Sequence, residues 1–454
     1  MHRTLRILSA LLFALPATTV AQGAPRPDAD PRIEKLVAAV SPERLRAIVS
    51  KLESFGTRST LSDTVSAARG IGAARRWIYE EFTRSSPRLR VEFDRHHVAQ
   101  QGRITRDVDV VNVMAILPGR SPRRVYISGH YDTVNLRAAM AAARAPATAG
   151  DPQQNRAIDY NVDAPGANDD GSGTALTMEL ARVFAESGIE FDATLVFIAW
   201  AGEEQGLIGS MAHATALADA KGIVEATFNN DIVGSSLGGN GILDGESVKV
   251  YSLGPEDSMS RSLARYIVRI ASTYVPSHTI RLMAREDRFA RGSDHSSFTA
   301  NGFPAVVFRE ANENYRRQHS GDDKIEGMDF AYLAQNARVN AAGAASVALA
   351  PPAPVVAGER GQPLIGRGKS GYDADLRWSA SPGAVGYRIY WRDAWANDWQ
   401  RSQVVGNVTQ FAMPNVSIDD YVFGVAAIGA DGNESLVSAF VSPNRPMSRV
   451  KLSQ

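Results

Sequence analysis

The chain has 454 residues, more than one ordinary hydrophobic core accommodates, so we expect at least two domains. Its 49 basic residues equal its 49 acidic residues, which argues against a nucleic-acid-binding protein and against an acidic disordered chain. The sequence contains no cysteine, so any metal ion must be held by nitrogen and oxygen ligands.

The first residues have the layout of a secretory signal peptide. A basic start at Arg3 and Arg6 precedes an apolar run at 8–15, and small residues at Thr19 and Ala21 predict cleavage after Ala21. We therefore expect residues 1–21 to be removed and the mature protein to be secreted or periplasmic. An exported protein without disulfides suggests a bacterial setting. The apolar run is too short for a permanent membrane helix, and we expect no membrane span.

Residues 33–350 alternate between strand-like and helical patterns. Short apolar runs typical of buried strands fall at 91–98, 109–117, 124–128, 194–200, 226–232, 248–252 and 304–308. Helical periods fall at 42–53, 64–82, 174–185, 258–272 and 328–348. This alternation predicts an α/β fold, with a mixed, largely parallel sheet covered by helices on both faces.

Five motifs rich in acids and histidines punctuate this pattern: GHYDT, GANDDGSG, AGEEQG, NNDIVG and QHSGDD. Three of them, GHYDT, AGEEQG and NNDIVG, follow strand-like runs directly. Ligand sites of such sheets lie beyond the carboxyl ends of the strands, so these motifs should meet at one edge. Imidazole and carboxylate groups together are a ligand mixture that Zn²⁺ accepts. The candidate site residues are His130, Asp132, Asp169, Glu203, Glu204, Asp231 and His319.

The order and context of these motifs resemble the M28 family of co-catalytic zinc aminopeptidases, over roughly residues 40–350. The resemblance implies two zinc ions per chain and peptide substrates with a free amino terminus. It implies that His130 and Asp231 hold one ion. Glu204 and His319 would hold the other, and Asp169 would be shared by both.

Further roles concern the neighbours of these ligands. The resemblance makes Glu203 the general base that takes the proton of the attacking water. It also implies a cis peptide bond after Asp169. Because His130 and Asp132 are two residues apart at a strand end, we expect the Asp132 carboxylate to accept the second ring N–H of His130. Asp323 matches the family's spacing and is expected to orient the ligand His319.

Other features of this region carry no ligand. In GSDHSSF, at 292–298, Asp294 and His295 are expected to belong to the architecture of the site. RFARG stands where relatives have a tyrosine that holds the substrate carbonyl, which leaves the oxyanion donor open. The insert at 134–164 should lie at the rim of the site. The remaining histidines are expected to be structural or on the surface: His96, His97, His213 and His278.

The last quarter of the chain changes character. A Pro/Gly-rich linker at 351–363 precedes alternating, strand-length runs at 364–444, which predict an all-β, immunoglobulin-like sandwich. The pattern resembles a fibronectin type III domain, with Trp378 in the core, Tyr387 and Tyr390 on the central strand, and Tyr421 at the tyrosine corner. Three tryptophans permit either a polymer-binding face or ordinary packing: Trp391, Trp395 and Trp399.

The sequence is best interpreted as an exported di-zinc aminopeptidase, and three alternatives stay open. A carboxypeptidase of the same superfamily would need basic groups for the substrate carboxylate, which Arg285, Arg288 and Arg291 could supply. A glutaminyl cyclase uses one zinc ion, whereas both His130 and Asp231 are retained here. A non-catalytic binding protein on a peptidase scaffold would normally have lost ligands, and none is missing.

Overall fold

The computed structural model describes residues 29–138 and 160–441. The predicted signal peptide and the middle of the insert, 139–159, lie outside the described residues. Within the described ranges, no helix is both long enough and apolar enough to cross a bilayer.

An amino-terminal α/β domain accounts for most of the described chain. Its helices are α1 Pro31–Ala38, α2 Pro42–Glu53, α3 Gly70–Ser85, α4 Gly171–Glu186, α5 Ile208–Asp219, α6 Met259–Tyr274, α7 His295–Ala300 and α8 Phe330–Leu349. Its strands are β1 Arg90–Val98, β2 Val108–Leu117, β3 Ser121–His130, β4 Ala193–Trp200, β5 Val224–Asn230, β6 Ser247–Ser252, β7 Thr279–Met283 and β8 Ala305–Glu310.

The eight strands form one mixed sheet in the order β1-β2-β4-β3-β5-β8-β6-β7. The four central strands, β4, β3, β5 and β8, run parallel to one another. Antiparallel pairs join β1 to β2, β2 to β4, and β6 to β8, while β6 and β7 are parallel. The carboxyl ends of the central strands therefore meet at one edge, and the predicted fold class is confirmed.

Alternation along β4 shows how helices come to cover both faces of the sheet. Leu195 and Phe197 contribute to the large core shared with α2, α4 and α8. Their neighbours Val196, Ile198 and Trp200 point the other way, into a smaller core with residues of α5 and α7. Successive strand residues face opposite sides, so a strand buried on both sides must be apolar at every position.

Some elements differ from the sequence prediction. The helix predicted at 64–82 begins only at Gly70, because Asp63 Oδ1 accepts the N–H groups of Val65 and Ser66 at 2.6 and 3.1 Å and holds a turn. Helix α5 was not predicted, since its alanine-rich sequence shows no apolar stripe. Strand β7 was also missed, being short and largely exposed at the sheet edge.

The carboxy-terminal part consists of two antiparallel sheets. Strands β9 Ile365–Gly366, β10 Ala374–Arg377 and β13 Gln410–Met413 form one sheet, and β11 Ala384–Asp393, β12 Arg401–Val405, β14 Tyr421–Gly429 and β15 Ser438–Ala439 form the other. Their orders are β13-β10-β9 and β12-β11-β14-β15, consistent with a β-sandwich. Trp378 and Tyr387 lie in the shared core. Val356, from the segment predicted as linker, also packs there.

The tryptophans of this domain do not form one exposed face. Trp399 is 5 % exposed and packs on Tyr390, with ring centroids 6.0 Å apart. Trp391 is half-buried against the sandwich core, whereas Trp395 is 79 % exposed. This arrangement favours ordinary packing over a platform of three rings.

The sandwich is docked on helix α6 through polar contacts. Ser262 Oγ donates to the carbonyl of Val437 at 2.6 Å, and Arg265 Nε donates to the carbonyl of Asn397 at 2.8 Å. Leu436, from the sandwich, packs into the large core of the amino-terminal domain. The two domains therefore share a buried interface and are not joined by the tether alone.

Candidate metal centre

His130 is the last residue of β3, and its ring points toward two carboxylates. Its Nε2 atom lies 3.3 Å from Oδ1 of Asp169 and 3.9 Å from Oδ1 of Asp231. Asp231 directly follows β5, while Asp169 precedes α4. All three residues are buried, and one donor atom from each lies within 4.8 Å of the others.

A second donor set shares one member with the first. His319 Nε2 lies 3.1 Å from Oδ2 of Asp169 and 3.3 Å from Oε2 of Glu204. Asp169 thus directs Oδ1 toward the first set and Oδ2 toward the second, as a bridging carboxylate does. The six residues predicted to hold metal or move protons, including Glu203, converge on this edge of the sheet.

The donors fit divalent cations. Among the described residues, His130 Nε2, Asp169 Oδ2 and Glu204 Oε1 are buried and make no hydrogen bond. Buried polar atoms rarely lack a partner, so this cluster calls for an ion. Burial, reinforced by neighbouring carboxylates, raises the pKa of Glu203 and of Glu204 well above the ordinary glutamate value, a cost that cations would offset. Mixed imidazole and carboxylate donors suit zinc.

The ligand-bearing turns adopt uncommon backbone conformations. Ile232, next to Asp231, has φ 59°, and His319 has φ 52°. A positive φ is unfavourable for residues with a Cβ atom and is tolerated where the surroundings fix it. Here the carbonyl of Ile232 accepts the N–H of Glu310 at 2.8 Å, and the carbonyl of His319 accepts the N–H of Leu136 at 3.0 Å.

Asp132 lies beside His130, but its carboxylate has other partners than predicted. The Nδ1 atom of His130 is 3.1 Å from the main-chain oxygen of Asp132 and 3.7 Å from its carboxylate. The carboxylate instead accepts the backbone N–H groups of Glu203 and Glu204 at 3.1 and 3.2 Å. It reaches them because β3 and β4 are parallel neighbours whose ends coincide. Asp132 therefore fixes the turn that carries both glutamates.

Asp323 also differs from its predicted role. Its carboxylate accepts the backbone N–H of Asp169 at 2.8 Å and that of Asn168 at 3.2 Å, so it supports the bridging ligand and not His319. The peptide bond between Asp169 and Asp170 is cis, as the resemblance implied. Asp170 caps α4 through Gly173 and accepts the N–H of His130 at 3.0 Å.

Two buried arginines that sequence reasoning missed hold the ligand segments. Arg309 Nη1 contacts Asp231 Oδ1 at 2.6 Å, and its Nη2 contacts Asp287 at 2.8 Å. Arg58 donates to the carbonyls of Tyr131 and Gly166 at 2.7 and 2.8 Å, and burial lowers its pKa to about 10. A charged residue at the end of the apolar run AVVFRE could have indicated Arg309, whereas nothing in the sequence singles out Arg58.

The other acids and histidines stay outside the donor sets. Asp294 is buried beside the site, and burial raises its pKa to about 7. His295 Nε2 contacts the carbonyl of Glu286 at 2.9 Å. His213 pairs with Asp94 at 3.0 Å. His96 contacts the same aspartate, His97 pairs with Asp109, and His278 with Asn336.

Comparison with known proteins identifies the family. The Peptidase family M28 profile matches residues 112–344. A probable zinc metalloprotease of Pyricularia oryzae is 37 % identical, over 90 % of this chain and 84 % of that protein. One of Leptosphaeria maculans is 35 % identical, over 91 % and 97 %. The chain belongs to peptidase family M28, a family of zinc peptidases.

Solved structures show the same fold at low sequence identity. The LapA aminopeptidase of Legionella pneumophila has a TM-score of 0.53 at 19 % identity and covers 76 % of this chain and 80 % of its own. A glutaminyl cyclase of Porphyromonas gingivalis has a TM-score of 0.52 at 16 % identity and covers 67 % and 97 %. Since both activities occur on this fold, the fold does not choose between them.

Proposed function

We propose that this protein is a zinc aminopeptidase that holds two zinc ions and removes residues from the free amino end of peptides. The observation that carries the proposal is the shared position of Asp169, whose two carboxylate oxygens face two separate donor sets. A glutaminyl cyclase needs one ion, whereas this site has two complete donor sets, one with His130 and Asp231 and one with Glu204 and His319, which favours the two-ion enzyme.

Zinc ions bound there would polarise the scissile carbonyl and make water a better nucleophile. In this proposal Glu203 moves the proton. Its Oε2 atom lies 4.0 Å from His130 Nε2, at the edge of the first donor set, and its backbone is held by Asp132. The Glu203 carboxylate accepts a proton from the attacking water and returns it to the leaving peptide nitrogen.

We further propose a division of labour along the chain. Residues 33–350 form the catalytic domain, and the fibronectin type III-like residues 364–444, joined through 351–363, form an accessory domain. The amino-terminal 21 residues direct export, which amino-terminal sequencing of the secreted protein tests by finding Gln22 first. The curated relatives named above are fungal, so they lend no support to a bacterial setting.

The activity is tested with aminoacyl-p-nitroanilides and their N-acetylated counterparts, alongside metal analysis of the purified protein. We expect two zinc ions per chain and cleavage only when the substrate amine is free. Equal cleavage of acetylated nitroanilides would point to an endopeptidase-like activity. A carboxypeptidase would cleave neither nitroanilide, since both lack a free carboxylate, but would cleave N-acetylated peptides with a free carboxyl end. Cyclisation of amino-terminal glutamine by a one-zinc protein would point to a glutaminyl cyclase.

A further inference from the structure

A series of alternating charges leads from the metal centre toward the protein surface. Consecutive members are in ion-pair contact, at 2.6, 2.8, 3.2, 2.7 and 3.3 Å. In order, the series consists of Asp231, Arg309, Asp287, Arg288, Glu313 and Arg291. The metal ligand Asp231 is its inner end, and an arginine is its outer end.

Burial differs sharply between the outer end and the rest. The side chains of the five inner residues are at most 8 % exposed, whereas that of Arg291 is 30 % exposed. Arg291 also shares its carboxylate partner, because Glu313 Oε2 is contacted more closely by Arg288. The solvent-facing member of the series is therefore a cation with only a share of one carboxylate.

The net charge of these six residues would become positive when a metal ion takes up the charge of Asp231. Three acids and three arginines cancel as they stand. In the proposed metal site, however, the charge of Asp231 is directed to a cation. The remaining members then carry one excess positive charge, and Arg291 is the most exposed of them.

Arg291 is held beside a metal ligand. Its Nη2 atom donates to Gln318 Oε1 at 3.0 Å, and Gln318 immediately precedes His319. The loop that carries Arg291 is fixed beyond it by Ser293, whose hydroxyl donates to Asp231 Oδ2 at 2.6 Å. The guanidinium also lies over the ring of Tyr315, 5.7 Å from its centroid. The loop that carries Arg291 therefore contacts both donor sets, through Gln318 next to His319 and through Ser293 to Asp231.

A second arginine lies beside the donor set of Asp169, Glu204 and His319. Arg103 is exposed, and its Nη1 atom donates to the main-chain oxygen of Glu204 at 2.9 Å. Arg103 and Arg291 therefore stand next to the two ligands of the second set, Glu204 and His319. Two arginines at this position attract an anionic group of the substrate.

We propose that Arg291 binds a carboxylate of the peptide substrate, so that the enzyme favours anionic peptides. The carboxylate comes either from an amino-terminal aspartate or glutamate side chain or from the carboxyl end of a short peptide. A guanidinium fork offers a carboxylate two parallel, charge-assisted hydrogen bonds. The proposal rests on the aminopeptidase function and names its substrate class.

Two substrate pairs distinguish the sources of the carboxylate. Glutamyl- and glutaminyl-p-nitroanilide differ only in the side-chain charge, and alanyl-alanine and its amide differ only at the carboxyl end. We expect the charged member of at least one pair to have the higher kcat/KM, by about 10–100-fold. The pair that responds identifies the source. Equal kcat/KM values within both pairs would overturn the proposal.

Variants test whether Arg291 is responsible. In Arg291→Gln the preference for the charged substrate should largely disappear, and Arg291→Lys should retain part of it, because lysine keeps the charge but not the fork. Arg316→Gln is the matched control, since it removes an exposed cation from the segment next to Tyr315. A preference that survives in Arg291→Gln, or that falls equally in Arg316→Gln, would contradict the assignment.

A binding measurement separates this proposal from the proposed activity. Isothermal titration of zinc-loaded protein with L-glutamate and L-glutamine tests the side-chain source. Titration of the zinc-loaded Glu203→Gln protein, whose turnover should be low, with alanyl-alanine and its amide tests the other. Tighter binding of one charged ligand, lost in Arg291→Gln, supports the site even if no substrate is cleaved. Amine-dependent cleavage without any carboxylate preference would leave the aminopeptidase standing and reject the role of Arg291.

Discussion

The carboxylate of Asp323 accepts the backbone N–H of Asp169 at 2.8 Å, which ties the loop after QHSG to the residue shared by both donor sets. Asp323, which belongs to neither donor set, thus positions Asp169, which belongs to both.

Replacing Asp323 with alanine should weaken zinc binding by about 10–100-fold, as changes to groups that support metal ligands commonly do. The change leaves the N–H groups of Asn168 and Asp169 without their acceptor. Titration against a chelating dye measures the effect. Asp322→Ala, which removes the neighbouring acid with a side chain 76 % exposed, is the control and should bind zinc normally. Unaltered affinity in Asp323→Ala would show that the loop is held by other contacts.

The two donor sets predict a pattern of metal loss. His130→Ala should lose one of the two ions and His319→Ala the other, whereas Asp169→Ala should lose both, because only Asp169 faces both sets. Each lost ion should also lower the melting temperature, since metal bound to the folded state alone stabilises it. Metal content by plasma mass spectrometry decides the matter. Retention of both ions in Asp169→Ala would rule out a bridging role.

The sequence predicted that His130, Glu204 and Asp231 meet at one edge, because their motifs come at the ends of strands and parallel strands bring those ends together. The assignment of ligands, including Asp169 and His319, came from the family resemblance. The partners of the Asp132 and Asp323 carboxylates were not predictable, because they depend on which loops meet in space. The ion-pair series through Arg309 was hidden for the same reason. Docking of the sandwich on α6 was missed because its arginines look in sequence like an ordinary solvated face.

Because the sandwich is docked on α6, a substitution at this interface should lower the free energy of unfolding without changing kcat. Arg269 lies between Tyr390, which it contacts through a hydrogen bond, and Glu434, 3.5 Å away. Arg269→Met removes one of the two arginines beside the buried Glu434, which keeps Arg388 at 2.7 Å, and should cost about 1–3 kcal/mol of unfolding free energy. The kcat of the folded variant should not change.

Denaturant titration measures this loss, with Arg367→Met as control. Arg367 pairs with Asp419 on the surface of the sandwich, where both side chains are more than half exposed, so its replacement should have little effect. If Arg269→Met were as stable as Arg367→Met, the contacts of Arg269 would contribute nothing measurable to stability.

Asp94 gives a prediction for pH. Although burial opposes it, hydrogen bonds from His213 and Asn112 hold the pKa of Asp94 below its ordinary value of 3.8. A carboxylate with a lowered pKa in the folded state stabilises the protein above the unfolded pKa, and this stabilisation is lost as the pH falls below it. Asp94→Asn should therefore be less stable than wild type at pH 7, with the difference shrinking below about pH 4.

Thermal unfolding across this range tests the sign. Asp109→Asn is the matched control, because Asp109 forms an exposed pair with His97 on the neighbouring strand and should show little difference at any pH. A deficit of Asp94→Asn that grew as the pH fell below about 4 would contradict the lowered pKa.

The central claim is that Glu203 moves the proton in a site that other residues assemble. Because Glu203 belongs to neither donor set, Glu203→Gln should keep both zinc ions, while its kcat on a free-amine aminoacyl-p-nitroanilide should fall by about 10²–10⁴-fold. The decisive measurement is kcat of this variant on protein whose zinc content has been determined. A large loss at full zinc occupancy is the predicted result, and near-wild-type turnover at that occupancy would contradict the account.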